Sequence, residues 1–312
     1  MISASSAVKG SVIIMRCVIG LDIGGTNLRI GLVREGILER AAVFSTPETF
    51  AEGDEIRALG RLISDFRGKD EADSVSVGFP SPVGPDEKTV LNAPNIIKKD
   101  GSHAFSGKNV ADPLSSLLGV RVLVNNDANH LLCFDAHTAK AGGVAVGCYI
   151  GTGFGAAAMI NGRLLQGKNG CAMEAGHIPF YRSDRLCGCG KVGCAECHAS
   201  GRAAREMLES RYPGKSFAEV FKEHGSDEPV TDLIQAIAIT TATLVNLFDP
   251  HILFLGGGTL SEDFPKERLK NEILKNTLAP YPREGLDIRF SRHDAYSGVM
   301  GAAYNALNTE TG

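Results

Sequence analysis

Short apolar blocks alternate with polar or glycine-rich turns in the first part of the chain. Residues 16–44 contain three apolar runs separated by GGTN and REG, a pattern that predicts a β-meander. Residues 49–66 have helical spacing. DSVSVGFPSPV, residues 73–83, predicts a buried strand that ends in a Gly/Pro loop, and GVRVLVNNDAN, residues 119–129, predicts a strand followed by a polar turn.

The second half of the chain repeats this arrangement. Residues 142–167 predict a strand, a glycine-rich turn, a second strand, an Asn-Gly hairpin turn and a third strand. Residues 229–247 have apolar residues at helical spacing, PHILFLGGG predicts a strand that ends in three glycines, and a short helix is expected from about Ser297. Two similar meanders suggest a duplicated α/β unit with a ligand bound between the copies.

Composition narrows the setting of these elements. The 312 residues are 43% hydrophobic and 22% charged, which favours a globular chain of two domains. The net charge of −4 argues against partners such as nucleic acid or a membrane surface, and favours a small molecule. Since neither a membrane span nor a convincing leader is evident, we expect a cytoplasmic protein. Met15 is an alternative to Met1 as the first residue.

The glycine-rich turns suggest what the ligand is. In DIGGT, Gly24 and Gly25 let backbone approach an anion, Thr26 offers a hydroxyl, and Asp22 can orient a hydrated Mg²⁺. GTGFG offers a matching turn made of Gly151, Thr152 and Gly153. The simpler explanation, that the glycines only permit tight hairpins, stays open. A dinucleotide fingerprint is disfavoured because a hairpin, and not a helix, follows GTGFG.

CGCGKVGCAEC, residues 187–197, holds four of the eight cysteines. In a reducing compartment such clusters more often bind metal than form disulfides. Zinc takes four tetrahedral nitrogen or sulfur ligands, and Cys187, Cys189 and Cys194 supply three of them. Local chemistry favours Cys197 as the fourth, because Cys-x-x-Cys is a common chelating step, but a histidine is also open. Free buried thiols are the alternative without metal.

Together these motifs resemble the ROK family of sugar kinases and sugar-responsive repressors. The similarity extends from about Cys17 to the C-terminus and is carried by LDIGGTNLRIGLV, VNNDAN, IGTGFG, EAGHIPF, CGCGKVGCAE and LFDPHILFLGGG. The resemblance implies an actin-like ATPase (ribonuclease H-like) fold with two lobes around a cleft, and a homodimer. We expect residues 15–125 plus 298–312 in the N-terminal lobe and 126–297 in the C-terminal lobe.

The resemblance also implies residue roles. Asp127 would be the general base that deprotonates a sugar hydroxyl as it attacks the γ-phosphate of ATP, and Asn126 would hold neighbouring hydroxyls. His177 would replace Cys197 as the fourth ligand of a structural Zn²⁺, leaving Cys197 as a small buried residue and His198 as an ordinary one. Taken alone, NND would be a polar turn.

The remaining implied contacts fall into two groups. The sugar would be bound by Asn126 and Asp127 together with Ser81, Glu174, His177 and Glu196, whose polar atoms suit a ring of hydroxyls. ATP and Mg²⁺ would be held by the two turns and by the LGGG loop, and the LGGG loop would contact the adenosine. The residues of this group are Asp22, Gly24, Gly25, Thr26, Asn27, Gly151, Thr152, Gly153, Gly257 and Gly258.

The sugar itself is less constrained. The C-terminal segment, including SGVMGAA, resembles the D-allose kinase branch, so phosphorylation of D-allose, at the 6-hydroxyl, is the leading hypothesis. Ser81 stands where many family members have glycine, which is consistent with a preference for an epimer. Glucose, mannose, fructose and N-acetylmannosamine stay open. A non-catalytic sugar sensor is the alternative from another class. A repressor is disfavoured because the segment before Asp22 is short.

Overall fold

The computed structural model describes residues 16–180 and 184–309. Met15 and residues 310–312, which belong to the predicted N-terminal lobe, lie outside the described residues. Two five-stranded mixed sheets form the framework, and a small two-stranded sheet accompanies them. The strands are β1 Cys17–Ile23, β2 Asn27–Arg34, β3 Ile37–Ser45, β4 Ser74–Phe79, β5 Thr89–Val90, β6 Lys108–Asn109, β7 Arg121–Asn126, β8 Val144–Ile150, β9 Phe154–Ile160, β10 Arg163–Leu164, β11 Ile252–Gly256 and β12 Asp287–Phe290.

The first large sheet has the strand order β3-β2-β1-β4-β7. Strands β1, β2 and β3 pair antiparallel, as the meander predicted, whereas β4 and β7 run parallel to β1. All six residues of β4 are buried, which agrees with the predicted buried strand. Parallel strands covered on both faces are usually rich in apolar residues; β4 differs in that Ser74 and Ser76 alternate with Val75 and Val77.

The second large sheet repeats this topology in the order β10-β9-β8-β11-β12. Three antiparallel strands are again followed by two parallel ones. Asn161 and Gly162 adopt positive φ angles of 50° and 79°, the conformation that a two-residue type I′ hairpin requires. The duplicated unit predicted from the sequence is therefore present, with β8 in the place of β1.

Nine α-helices cover the sheets within the described residues. They are α1 Thr46–Thr49, α2 Glu55–Arg67, α3 Ala111–Leu118, α4 Asp127–Ala139, α5 Gly201–Arg211, α6 Phe217–Glu223, α7 Glu228–Phe248, α8 Lys266–Asn276 and α9 Ser297–Thr309. The helix predicted over 49–66 is interrupted, because Gly53 has a positive φ and Asp54 caps α2. Among these helices, α7 has the length and composition of a membrane span, but most of its apolar stretch is buried in the core.

The sequence prediction of a polar turn after β7 was wrong. NNDAN starts helix α4: the Asn126 side chain accepts a hydrogen bond from the Ala128 amide at 2.9 Å and caps the helix. Asparagine is a preferred N-cap residue because its oxygen satisfies a free amide of the first turn. The polar residues that looked like a turn are therefore a helix cap.

Helices α4 and α9 lie between the two sheets. Helix α4 packs on β8 and β9, α9 packs on β1 and β4, and the two helices contact each other. Their close approach depends on Gly301, where a Cβ would lie 1.9 Å from the carbonyl oxygen of His130. The predicted division of the chain at 125/126 and 297/298 stays a prediction; the first sheet ends at Asn126 and α9 returns to it from Ser297.

Candidate active site

The first glycine-rich turn joins β1 to β2. The Gly24 amide donates to the carbonyl of Asn27 at 2.9 Å, and Gly25 and Thr26 are exposed. A Cβ at Gly25 would lie 3.0 Å from the carbonyl oxygen of Asn95. The glycine at this position is therefore needed for close packing against the 92–95 loop, and the exposed edge of the turn stays accessible to a ligand.

Asp22 lies beside this turn and is only partly paired. Its Oδ2 is 4.0 Å from Nη1 of Arg29, and its side chain is 25% exposed. Burial raises the pKa of Asp22, and Arg29 lowers it. A Cβ at Gly298, in α9, would lie 2.7 Å from Cγ of Asp22, so α9 packs directly against this carboxyl group.

Asp127 is the first residue of α4 and is half-buried. Its Oδ1 accepts from the Ala128 amide at 2.8 Å. Burial raises the pKa of Asp127 to about 7, with a further contribution from the nearby carboxylates of Asp22 and Glu174. A carboxyl group with a pKa near neutrality is suited to accept a proton during a reaction.

The carboxylates form a connected cluster. Burial also raises the pKa of Glu174, His177 lowers it, and Glu196 raises it. Asp22 and Glu174 thus act on Asp127, and Glu196 acts on Glu174, although these residues come from distant points of the chain. Mutual repulsion of this kind is typical of functional sites, where cations or hydroxyl groups of a ligand offset it.

Four of the predicted metal ligands are gathered in one place. The ligand atoms of His177, Cys187, Cys189 and Cys194 all lie within 4.8 Å of one another. Sγ of Cys189 is 3.6 Å from Sγ of Cys194, and Nδ1 of His177 is 3.7 Å from Sγ of Cys187. Tetrahedral zinc places its sulfur and nitrogen ligands about 3.5–3.8 Å apart, so the donor set and its spacing fit zinc.

The geometry favours His177 over Cys197 as the fourth ligand. The Cys197 thiol is buried and faces the Arg185 carbonyl, with Sγ 3.8 Å from that oxygen. His177 directs Nδ1 to the cysteines and places Nε2 3.8 Å from Oε2 of Glu174. A metal on Nδ1 leaves Nε2 available on the cleft side. His198 stacks on Phe180 with 5.1 Å between ring centroids.

Glu196 connects the cysteine loop to the second glycine-rich turn. Its Oε2 accepts from the Phe154 amide at 3.0 Å, and Oε1 lies 4.0 Å from Sγ of Cys187. A Cβ at Gly153 would lie 2.3 Å from Oε2 of Glu196. One carboxylate therefore contacts both the predicted phosphate turn and the metal cluster, a connection that local motifs do not predict.

The second turn meets the LGGG loop and the start of α5. The Gly151 carbonyl accepts from the Gly201 amide at 2.8 Å and from the Thr259 hydroxyl at 3.3 Å. Gly257 has a φ of 96°, and a Cβ there would lie 2.4 Å from the carbonyl oxygen of Ile150. Only glycine fits this position. At Gly258 nothing lies within 4 Å of a Cβ, so the loop presents bare backbone.

Ser81 occupies a different environment from the one predicted. It is 3% exposed, and its hydroxyl donates to the carbonyl of Asn92. Its own carbonyl accepts from Nδ2 of Asn126 at 3.1 Å. The hydroxyl proton is thus already used within the protein, and Ser81 acts on Asn126 through its backbone.

Sequence reasoning missed the hydrogen-bond partners that hold the NND segment in place. Oδ1 of Asn125 accepts from Nδ2 of Asn129 at 2.7 Å, and the Glu87 carboxylate accepts from Nε2 of Gln166 at 3.1 Å. Nδ2 of Asn125 lies 3.4 Å from the same Glu87 oxygen. Asn125 belongs to the quoted VNNDAN motif, but nothing in the sequence connects it to Glu87 or Gln166.

Comparison with known proteins assigns the chain to a family. Residues 18–309 match the model of the ROK family, which covers nearly the whole described chain. The chain belongs to the ROK family. An N-acetyl-D-glucosamine kinase from Pectobacterium carotovorum is 31% identical, over 91% of this chain and 97% of that protein.

Solved ROK structures share the fold. The ROK hexokinase of Thermus thermophilus is 27% identical, with a TM-score of 0.75 over 95% of this chain and 100% of that chain. The ROK family glucokinase of Streptomyces griseus, solved with glucose and AMPPNP, is 26% identical, with a TM-score of 0.73 over 92% of this chain and 98% of that chain. The expected actin-like ATPase fold is confirmed for this ROK protein.

Proposed function

We propose that this ROK protein is a sugar kinase that transfers the γ-phosphoryl group of ATP to a hexose hydroxyl. The observation that supports it most is Asp127: a half-buried carboxyl with its pKa raised to about 7, at the start of a helix between the two lobes. ROK relatives named as hexose kinases support the same reaction. Asp127 accepts the hydroxyl proton while the sugar oxygen attacks phosphorus and ADP departs.

The sugar is proposed to lie among the polar groups around Asp127. Asn126 and Glu174 would bind ring hydroxyls, with Nε2 of His177 beside Glu174. Glu196 would also accept from a sugar hydroxyl, and its hydrogen bond from the Phe154 amide would hold the carboxylate in position. Ser81 would act through Asn126 and not by direct contact, because Ser81 is buried and its carbonyl accepts from the Asn126 side chain.

ATP is proposed to bind between the two glycine-rich turns. The exposed edge at Gly25, Thr26 and Asn27 faces solvent, as does Thr152 in the second turn. Gly257 and Gly258 offer a flat backbone surface for adenosine. Asp22 would orient Mg²⁺, because its carboxylate has only a distant partner in Arg29. Mg²⁺ would supply charge neutralisation for the phosphates.

Zinc is proposed as a structural ion held by the cluster of His177, Cys187, Cys189 and Cys194. When bound, it would close the 177–194 segment and fix the ring orientation of His177. Glu174 and Glu196 flank this segment, so its closure would help to position both carboxylates.

Three sugars are proposed as candidate substrates. D-allose follows from the C-terminal sequence likeness. N-acetyl-D-glucosamine follows from the curated relative at 31% identity, which is named as a kinase for that sugar. Glucose is the third, since a ROK glucokinase with bound glucose shares the fold at 26% identity. The cytoplasmic location and the homodimer stay predictions.

The test is a product assay with purified protein, ATP, Mg²⁺ and one sugar at a time. The panel contains allose, N-acetylglucosamine, glucose, mannose, fructose and N-acetylmannosamine, and ³¹P and ¹³C NMR identify the phosphorylated position. We expect one sugar to dominate in kcat/KM and to yield the 6-phosphate. ADP formation that does not depend on any of these sugars would contradict the proposal.

A further inference from the structure

A second carboxylate on α4 is buried about two helical turns beyond Asp127. The Asp135 side chain is 6% exposed. Oδ2 accepts from the Tyr149 hydroxyl at 2.9 Å and from the Ser291 hydroxyl at 2.6 Å. Oδ1 lies 3.0 Å from Nε2 of His293. Each carboxylate oxygen therefore has a hydrogen-bond partner.

The three partners of Asp135 lie on, or directly beside, the strands β8 and β11, which carry the nucleotide loops. Tyr149 lies two residues before Gly151 on β8. Ser291 follows β12, and its amide donates to the carbonyl of Leu255 at 2.8 Å. The His293 ring lies against Gly256, where a Cβ would be 3.0 Å from its Cε1. Asp135 thus joins α4 to both the GTGFG turn and the LGGG loop.

The hydrogen bonds to Asp135 restrain the elements that they join, because the buried carboxylate needs its partners. A buried carboxylate without partners is very costly, so the three donors hold the group and the elements that carry it in one arrangement. Burial and then the neighbouring Asp135 carboxylate raise the pKa of Tyr149, which keeps its hydroxyl protonated as a donor. Because α4 is a continuous helix from Asp127 to Ala139, fixing Asp135 also fixes the helix start.

We propose that Asp135 is a positioning residue for phosphoryl transfer, which sets the distance between Asp127 and the loops that hold the nucleotide. The inference rests on the proposed function and adds to it a residue outside the sugar and phosphate contacts. Rate depends steeply on such alignment, since misplacement by about 1 Å can lower it about 100-fold.

Glu55 provides a matched control for a purely structural role. It is also buried, at 2% exposure, and its carboxylate accepts from Lys98 at 3.0 Å, from Lys108, and from the Phe105 amide at 3.3 Å. These partners all belong to the first half of the chain, and within the described residues their hydrogen bonds and ring contacts involve neither α4 nor the nucleotide loops. Glu55→Gln therefore removes the charge of a similar buried network away from the cleft.

The experiment compares Asp135→Asn and Tyr149→Phe with Glu55→Gln and wild type. Kinetics give kcat and both KM values, and calorimetry gives the Kd of AMPPNP without turnover. For Asp135→Asn we expect kcat to fall about tenfold and the ATP KM and AMPPNP Kd to rise about tenfold, with the sugar KM within twofold. Tyr149→Phe, which keeps the ring, should show the same pattern at about threefold.

The result that would overturn the inference is an Asp135→Asn protein that, like Glu55→Gln, melts at lower temperature but keeps the wild-type kcat, ATP KM and AMPPNP Kd. If Asp135→Asn does not fold, a Tyr149→Phe protein with the wild-type AMPPNP Kd and kcat would also overturn the inference. Wild-type protein that binds AMPPNP but phosphorylates no sugar would contradict the proposed function alone. In that case the AMPPNP Kd values of the variants decide whether Asp135 positions the nucleotide loops. Wild type that binds no AMPPNP would overturn both the proposed function and the positioning role.

Discussion

At the scale of single residues, the account depends on the environment of Asp127. The sequence identifies this aspartate only through the VNNDAN motif. Its raised pKa depends on its surroundings in the folded chain. Burial raises its pKa most, and Asp22 and Glu174, which raise it further, are 105 and 47 positions away in the chain. Local spacing could not reveal that repulsion, nor the network around Asp135, whose members come from residues 135, 149, 291 and 293. Both require the folded chain.

The raised pKa of Asp127 predicts the pH dependence of the reaction. The group must be ionised to accept a proton, so kcat/KM for the sugar should increase with pH and reach half its maximum near pH 7. The measurement is a set of initial rates between pH 5.5 and 9 in buffers of constant ionic strength. A rate that stays constant across this range would contradict the role of Asp127.

The same pKa predicts an effect on stability. The ordinary pKa of the group is 3.8 and its folded value is about 7, so ionisation is disfavoured in the folded state. The resulting cost is absent below pH 3.8 and increases until about pH 7. Between pH 5 and pH 8, wild type should lose about 2 kcal/mol of unfolding free energy relative to Asp127→Asn. This value is below the free energy of the full pKa shift because part of the cost is already present at pH 5 and because the carboxyl keeps some contact with solvent.

Denaturant unfolding of both proteins at the two pH values measures this difference. Since Asn cannot ionise, titrating groups distant from Asp127 cancel in the comparison, and the difference reports Asp127 together with its neighbours Asp22 and Glu174. Equal loss of stability in wild type and variant would mean that Asp127 has an ordinary pKa.

At the scale of elements, strands were easier to predict than helix boundaries. β1 to β4 and β8 to β11 contain apolar runs bounded by glycine, proline or asparagine, which are strong local signals. Helix α4 was missed because its first turn is polar, and the cap of Asn126 becomes recognisable only with the helix in view. The buried helix α7 was predicted nearly to its ends, since Pro229 and Asp249 bound its apolar stretch.

The contact between α4 and α9 predicts a sensitive glycine. Gly301→Ala places a Cβ 1.9 Å from the His130 carbonyl, so the helices must separate. We expect the unfolding free energy to fall by about 3 kcal/mol. Gly142→Ala is the control, because nothing lies within 4 Å of a Cβ there. If both variants unfold at the same denaturant concentration, the two helices are not closely packed.

The cysteine loop predicts a clear difference between two neighbouring cysteines. Cys189→Ser should lose zinc, whereas Cys197→Ser should retain it, because only the first belongs to the four-residue cluster. Mass spectrometry of the metal content of dialysed protein measures both. Loss of zinc from Cys197→Ser, with retention in a His177→Ala variant, would reverse the ligand assignment.

At the scale of the whole molecule, two sheets with α4 and α9 between them form a two-lobed chain with the acidic cluster in the cleft. We expect the lobes to close on the sugar, because exclusion of water prevents transfer of the phosphoryl group to it. Small-angle scattering should show a smaller radius of gyration at saturating sugar. An unchanged radius would exclude closure of this kind but would leave the kinase activity open.

The central claim is that Asp127 accepts the proton of a sugar hydroxyl during transfer from ATP. Its most direct test is single-turnover phosphorylation of the preferred sugar by wild type and Asp127→Asn, with sugar affinity measured separately by calorimetry. The account predicts that the variant binds the sugar within about tenfold of wild type but reacts at least about 1,000-fold more slowly. A variant that transfers phosphate at close to the wild-type rate would contradict it.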